Sequence, residues 1–313
     1  RFVESIAEDW PKHGRIGSDA AAKPDRRTLQ PAVPPPVGAA CFDAVISIGG
    51  APIRLVLQDA DIAKITAPMV AGNTAPGNPD DVFTIRVWKQ EGLWCISESA
   101  ADIDIVGRIE VARDRALAKV MANSWPALSN APCLHGATLR APSGKHVMLS
   151  GDSGRGKTTL ALGLGRESFT LLADDMSVFD ADTGRLYPMK TNPSVKQGSW
   201  QVLGGLYPEL SGQEPVDVNG RLCKYIQRPP FRSRAESHSV DALIFPKWRR
   251  GAEARLEAYD SQASLLSMLR WSYLPQDRQK LQAMADFLGS LPRYGLTYSE
   301  FDQADRIRLD LLQ

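Results

Sequence analysis

Short apolar runs bounded by turn residues, rather than long amphipathic stripes, dominate this chain. Residues 45–48 and 53–57 flank Gly49-Gly50 and predict a β-hairpin. Residues 82–88 and 93–97, on either side of Glu91-Gly92, predict a second one. Between the hairpins, 61–70 reads as a short helix and 71–80 as a loop, since it carries Gly72, Asn73, Pro76, Gly77, Asn78 and Pro79. Residues 109–122 read as a helix. Ile109, Ala112, Ala116 and Val120 recur at helical spacing, with Arg113, Asp114, Arg115 and Lys119 between them.

Further along, 134–141 and 146–150 predict two strands joined by Pro142-Ser143-Gly144-Lys145. Residues 169–173 predict a buried strand that ends in Asp174-Asp175. Extended chain over 176–179 then reaches a turn at 180–184 and continues over 185–187. Residues 241–245 predict a strand stopped by Pro246. Helical periodicity follows over 261–271, with Ser261 as N-cap, and over 277–288. A last strand is expected over 294–298 and a C-terminal helix over 301–312. Mixed strands and helices make this an α/β chain. Three regions are expected: a flexible arm over 1–40, rich in proline at Pro31, Pro34, Pro35 and Pro36; a smaller β-rich N-terminal accessory domain over 41–130; and a catalytic domain over 131–313.

Composition narrows the function classes. With 37 basic and 36 acidic residues the net charge is +1, which gives no electrostatic footprint for nucleic acid or a membrane surface. No apolar run is long enough for a spanning helix, and residues 1–30 lack the apolar core of a signal peptide. The chain begins on Arg1 rather than Met, as a trimmed or incomplete chain would. Cys41, Cys95, Cys133 and Cys223 are scattered without metal-ligand spacing, and reduced thiols in a cytoplasmic protein are the expectation.

The chemistry is concentrated after the run His146-Val147-Met148-Leu149-Ser150. There the chain reads Gly151-Asp152-Ser153-Gly154-Arg155-Gly156-Lys157-Thr158, a complete Walker A loop between an expected strand and an expected helix. Its glycines let backbone N–H groups turn inward on phosphates. Lys157 adds positive charge, and the Thr158 hydroxyl is suited to Mg2+. The helix beginning near Lys157 points its positive end at the anion. These eight residues and Thr159 form the candidate nucleotide site. Asp174-Asp175 closes its strand 17 residues after Lys157, where phosphate-loop enzymes hold Mg2+; a second acid beside the first can take a proton from an attacking hydroxyl. His135, on the strand before the loop, reads first as a packed core residue; its functional alternative is to neighbour the acids and tune their proton affinity. Lys196, in Lys196-Gln197-Gly198-Ser199-Trp200, reads equally as a phosphate-reaching cation or a surface lysine. Arg221, Lys224, Arg228, Arg232 and Arg234 read first as a solvated face, with a phosphate-clamping lid or a dock for an acidic peptide as alternatives.

Leu134-His135-Gly136, the Walker loop and Leu172-Ala173-Asp174-Asp175, in that order and spacing, resemble the catalytic core of the HPr kinase/phosphorylase family. The resemblance implies a phosphoenolpyruvate carboxykinase-like phosphate-loop fold. It implies that Lys157 holds phosphates, Thr158 and Asp175 hold Mg2+, Asp174 acts as the catalytic base and His135 supports the pair. Thr159 stands where the family's bacterial regulators carry an acid. The 196–200 loop and Asp241-Ala242-Leu243-Ile244-Phe245-Pro246-Lys247-Trp248 resemble more closely the HPr-kinase-related proteins of ribosomal peptide maturation systems. Members of that group in lasso-peptide pathways phosphorylate a serine at the precursor's C-terminus.

The expectation is therefore a cytoplasmic kinase that uses ATP and Mg2+ to phosphorylate a serine of a precursor peptide, its only partner apart from an open question of homo-oligomerisation. A small-molecule hydroxyl kinase and a nucleotide-gated binding module of a peptide-maturation complex are the alternatives.

Overall fold

The computed structural model describes residues 39–301 except 100–101, 129, 219, 229–235, 260–264, 267, 270–271 and 276. The arm expected over 1–40 and the helix expected over 301–312 lie almost wholly outside these residues, as does much of the helix expected over 261–271. Among the described residues the chain is mixed α/β, with five α-helices and several sheets.

The first hairpin pairs β1 (Phe42–Ile46) with β2 (Ile53–Leu57). Asp59 starts α1 (Ala60–Val70), its carboxylate accepting the Asp61 and Ile62 N–H groups. That helix returns the chain so that β3 (Phe83–Gln90) runs parallel to β2. β3 and β4 (Leu93–Ser99) form the second hairpin. Glu91 and Gly92 both have positive φ, 50° and 81°, as a tight two-residue turn requires. β5 (Asp102–Val106) adds an edge strand that the apolar pattern alone does not reveal, giving the five-stranded order β1-β2-β3-β4-β5. Against this sheet lies α2 (Ile109–Ser124), with Ala112, Ala116 and Val120 fully buried. The alanines make a faint stripe in sequence, yet their small size suits a close approach. A Cβ on Gly50 would stand 2.0 Å from the Ser124 carbonyl oxygen.

Next come β6 (Cys133–His135), β7 (Ala137–Arg140), β8 (His146–Leu149), α3 (Lys157–Glu167), β9 (Thr170–Ala173), β10 (Met176–Asp180) and β11 (Arg185–Pro188). The single strand expected over 134–141 is two strands, broken at Gly136. β6 pairs with β10, while β7 pairs with β8 and β9. The break has a steric cause. A Cβ at Gly136 would sit 2.6 Å from the Leu149 carbonyl oxygen, so only glycine allows the chain to change sheets there. β12 (Ser194–Lys196), α4 (Trp200–Gly204), β13 (Val216–Val218) and β14 (Arg221–Tyr225) come after them, and the three strands form a small sheet in the order β12-β14-β13.

The chain ends, among the described residues, with β15 (Ala242–Trp248), β16 (Arg255–Ala258), α5 (Arg278–Ser290) and β17 (Arg293–Tyr298). These complete a six-stranded sheet, β16-β17-β15-β8-β7-β9. Pro246 does not stop β15 as the sequence suggests. Pairing with β8 ends at Ile244, so the flank that lacks a proline N–H has no strand to bond, while pairing with β17 continues to Trp248. β8 is parallel to β15 and buried on both faces, which is why it reads as an unbroken apolar run.

One apolar cluster joins the first sheet to later parts of the chain: Ile46, Leu55, Ile85 and Ile96 pack with Cys133, Val178, Met189 and Tyr225. A polar bridge reinforces it. Buried Asn192 donates to the Pro68 and Ala71 carbonyls at the end of α1, at 2.8 and 2.7 Å, and accepts from the Arg228 N–H at 3.1 Å. All four cysteines are free; Cys41 is exposed and the other three are buried. No helix among the described residues is long and apolar enough to cross a membrane.

Asn192→Ala leaves two carbonyls and an N–H without this partner. It is expected to cost on the order of 2–4 kcal/mol, seen as a lower urea midpoint with an unchanged slope. A loss below about 0.5 kcal/mol would show that the bridge does not tie α1 to the Arg228 segment.

Candidate active site

The Walker residues form the turn between β8 and α3. Gly156, with φ 92°, passes so close to β17 that a Cβ would lie 2.9 Å from the Tyr298 hydroxyl. Lys157 opens the helix and folds its chain back over the loop, donating to the Gly151 and Asp152 carbonyls at 2.7 and 3.1 Å. Burial lowers the proton affinity of this ammonium, opposed by Asp175, Asp174 and Asp152, and Lys196 lowers it further.

His135, Asp174 and Asp175 meet because two strand breaks coincide. β9 ends at Ala173 and β10 begins at Met176, so the acids occupy the step between two sheets. β6 and β7 make the same step at Gly136, whose N–H donates to the Asp175 carbonyl at 2.8 Å. His135 Nδ1 thereby lies 3.0 Å from Asp175 Oδ1. Asp174 faces the other way: its Oδ2 accepts from the Thr158 hydroxyl at 3.3 Å. Its Oδ1 is buried with no hydrogen-bond partner. Asp174 is buried, whereas Asp175 is half-buried with its side chain 51 % exposed, so of the two it is the second acid that reaches solvent.

The environments also separate the two acids electrostatically. Burial, then the adjacent Asp175 charge, raises Asp174 to about 7 despite the Thr158 hydrogen bond. Burial would raise Asp175 as well, but the His135 charge and hydrogen bond, with Lys157 behind them, hold it down at about 2. This is a carboxylate pair of unlike members.

Several flanking cations approach the loop. Lys196 Nζ donates to Ser153 Oγ at 2.8 Å, and Arg221 Nη1 reaches the same oxygen at 3.2 Å. Thr159 and Ser199 hydroxyls lie 2.6 Å apart, giving Thr159 a partner. Of the remaining basic run, Lys224 bonds the Leu210 carbonyl and sits over the Trp200 ring. Arg228 is not a surface residue. It donates to the Leu172 carbonyl at 3.0 Å and to that of Leu171, bracing the strand that carries the acids. Arg232 and Arg234 lie outside the described residues. His146 and His238 stack with centroids 4.5 Å apart at the end of β8 opposite the loop, and bring nothing to the site.

Arg113 is legible in sequence only as one charge on the α2 surface. Its side chain is 12 % exposed, bonds the Ile65 carbonyl at 3.1 Å, and is among the charges that lower Asp175. Position alone, not residue type, distinguishes it from neighbouring Arg115, so no sequence signal could have found it.

No group of three or more His, Cys, Asp or Glu side chains able to hold a metal occurs among the described residues. The Thr158 hydroxyl meets the Asp174 carboxylate at Oδ2, and Oδ1 of that carboxylate has no partner, so the two groups are adjacent hard oxygen donors. They suit Mg2+, which takes few protein ligands and completes its shell with water and phosphate oxygens. Neither a protein-family model nor a curated protein matches the chain.

The pH dependence of stability tests the Asp174 environment. Its folded value of about 7 exceeds its ordinary 3.8, so the folded chain binds more protons between these values and stability falls as pH rises through them. Asp174→Asn removes that titration. In metal-free buffer the variant's Tm is expected to gain on the wild type's as pH rises from about 5 to about 8. Parallel profiles would mean that Asp174 titrates normally.

Proposed function

We propose that this chain is an ATP- and Mg2+-dependent kinase of the HPr-kinase-like type, and that its acceptor is a serine hydroxyl of a ribosomal peptide precursor. The observation that carries the reading is the convergence of a complete Walker loop with His135, Asp174 and Asp175 at one pair of strand breaks. A phosphate-loop kinase core of the phosphoenolpyruvate carboxykinase-like type is the fold this implies. The position of the loop after β8, parallel to β15, supports it. The choice of a peptide rests on the resemblance of the 196–200 and 241–248 segments to kinases of peptide maturation systems.

We assign the two acids the reverse of the roles that the family resemblance implies. Asp174, buried against Thr158 with a free oxygen, suits the metal side; Asp175, half-buried with its carboxylate reaching solvent and oriented by His135, suits the acceptor side. Bound Mg2+ would offset charge on the phosphates. The loop amides and Lys157 hold the phosphate chain, while the Asp175 carboxylate orients the serine hydroxyl. The serine oxygen bonds to the γ-phosphorus as the bond from that phosphorus to the bridging oxygen of ADP breaks. ADP leaves with the electron pair, and the hydroxyl proton passes to Asp175 and on to solvent. A base as weak as Asp175 suffices because the transition state is loose and the proton moves late. His135 keeps the carboxylate in place.

Intact-mass analysis of a serine-ending precursor peptide with the chain, ATP and Mg2+ tests this reading. The expected result is a gain of one phosphate that Lys157→Ala abolishes. Asp175→Asn is expected to slow transfer on the order of 10²–10⁴-fold while retaining nucleotide binding. Transfer to free hydroxy amino acids or sugars but not to peptides would replace the acceptor. Nucleotide binding without transfer to any of them would remove the kinase.

A further inference from the structure

We propose that Lys196 and Arg221 form a clamp, supplied by the chain itself, that leaves Ser153 and closes on the phosphoryl group during its transfer. This deepens the kinase reading and rests on it.

Ser153 is the third of the eight Walker residues, and its hydroxyl oxygen receives two cations from outside the loop: Lys196 at 2.8 Å and Arg221 at 3.2 Å. Both come from the small sheet. Lys196 ends β12 and Arg221 begins β14, and the two strands pair directly, with Lys196 opposite Cys223. Their backbones are thus fixed while their side chains are exposed, so the charged ends can move a short way without unpacking a core. The turn that follows β12 is tied to the first turn of α3 by the Thr159–Ser199 contact at 2.6 Å.

A hydroxyl offers two full positive charges only a dipole. A phosphoryl oxygen offers a full charge, so the exchange adds direct ionic attraction to hydrogen bonds whose donors are already charged. Both cations therefore gain by exchanging Ser153 Oγ for phosphoryl oxygens. The place is suitable, because Lys157 is the residue that reaches the β- and γ-phosphates, and Lys196 stands close enough to Lys157 for their charges to repel. Negative charge bridging the three cations relieves that repulsion. Arginine supplied to a phosphate loop in this way, from within the chain or from a partner, stabilises the charge spread over the transferred group. Here an Arg and a Lys on paired strands share the task, and neither is part of the loop motif.

A binding measurement with a transition-state mimic separates this proposal from the kinase reading, since it needs no acceptor. Affinities of the full chain for ADP, and for ADP with aluminium fluoride, are measured with Mg2+ by calorimetry. Wild type is expected to bind the fluoride complex on the order of a hundredfold more tightly than ADP. Lys196→Gln/Arg221→Gln is expected to retain ADP affinity within about twofold and to lose most of the fluoride gain. Each single variant, run alongside, keeps one cation and is expected to lose part of it, so the test survives if the double variant does not fold. Lys196→Arg is expected to restore the gain. A full fluoride gain in the substituted chains would overturn the clamp and leave the kinase reading intact. No fluoride gain in the wild type, with ADP bound, would overturn both.

Discussion

The hydrogen bond from the Gly136 N–H to the Asp175 carbonyl joins two places where the chain changes sheets. Everything proposed for the site depends on it. Without this crossing, β6 and β7 would be one strand, and His135 would lie a sheet away from the acids. The crossing is possible because Gly136 has no Cβ to meet the Leu149 carbonyl, on the strand that leads into the Walker loop. One steric allowance thus fixes the separation of three parts: the loop, the imidazole and the acid pair. The Ser150 hydroxyl, at the exit of β8, adds a bond to the His135 carbonyl at 3.3 Å.

From that arrangement the acids acquire different characters. They are neighbours in sequence and chemically the same, yet one is buried against a hydroxyl and the other is open beside an imidazole. In the step between β9 and β10 their side chains point apart, one toward Thr158 and the phosphate loop and the other toward His135. A metal site and an acceptor site can be built from one dipeptide for this reason. Arg228, under the same strand, and Arg113, from the first sheet's helix, supply fixed charge on either side. The β-rich first half is therefore more than an appendage. It shares its apolar cluster with the β6–β14 region and contributes to the field at Asp175.

Much of this is legible in the residues, for physical reasons. The Walker loop has a fixed spacing because phosphate geometry is fixed, and both hairpins carry their turns in the expected places. The mixed α/β class follows from the same runs. Sequence could not separate β6 from β7, since an apolar run reads the same whether it serves one sheet or two; Gly136 is the only mark. β5 and the β12–β14 sheet escape the pattern because their strands are short and bear charges such as Asp102, Asp104, Arg221 and Lys224. Arg228 reads as part of a solvated run because burial depends on the fold, not on composition. The acids can be identified as a pair, but not which faces Thr158: that depends on strand phase at a break.

Mn2+ in place of Mg2+ makes the division of labour between the acids visible. Loss of the free Mn2+ paramagnetic resonance signal on titration with protein, in the presence of a non-hydrolysable ATP analogue, gives the metal affinity directly. Asp174→Asn is expected to weaken it on the order of tenfold or more, while Asp175→Asn is expected to change it by no more than about twofold. The opposite order, with Asp175 the stronger determinant, would contradict that division of labour.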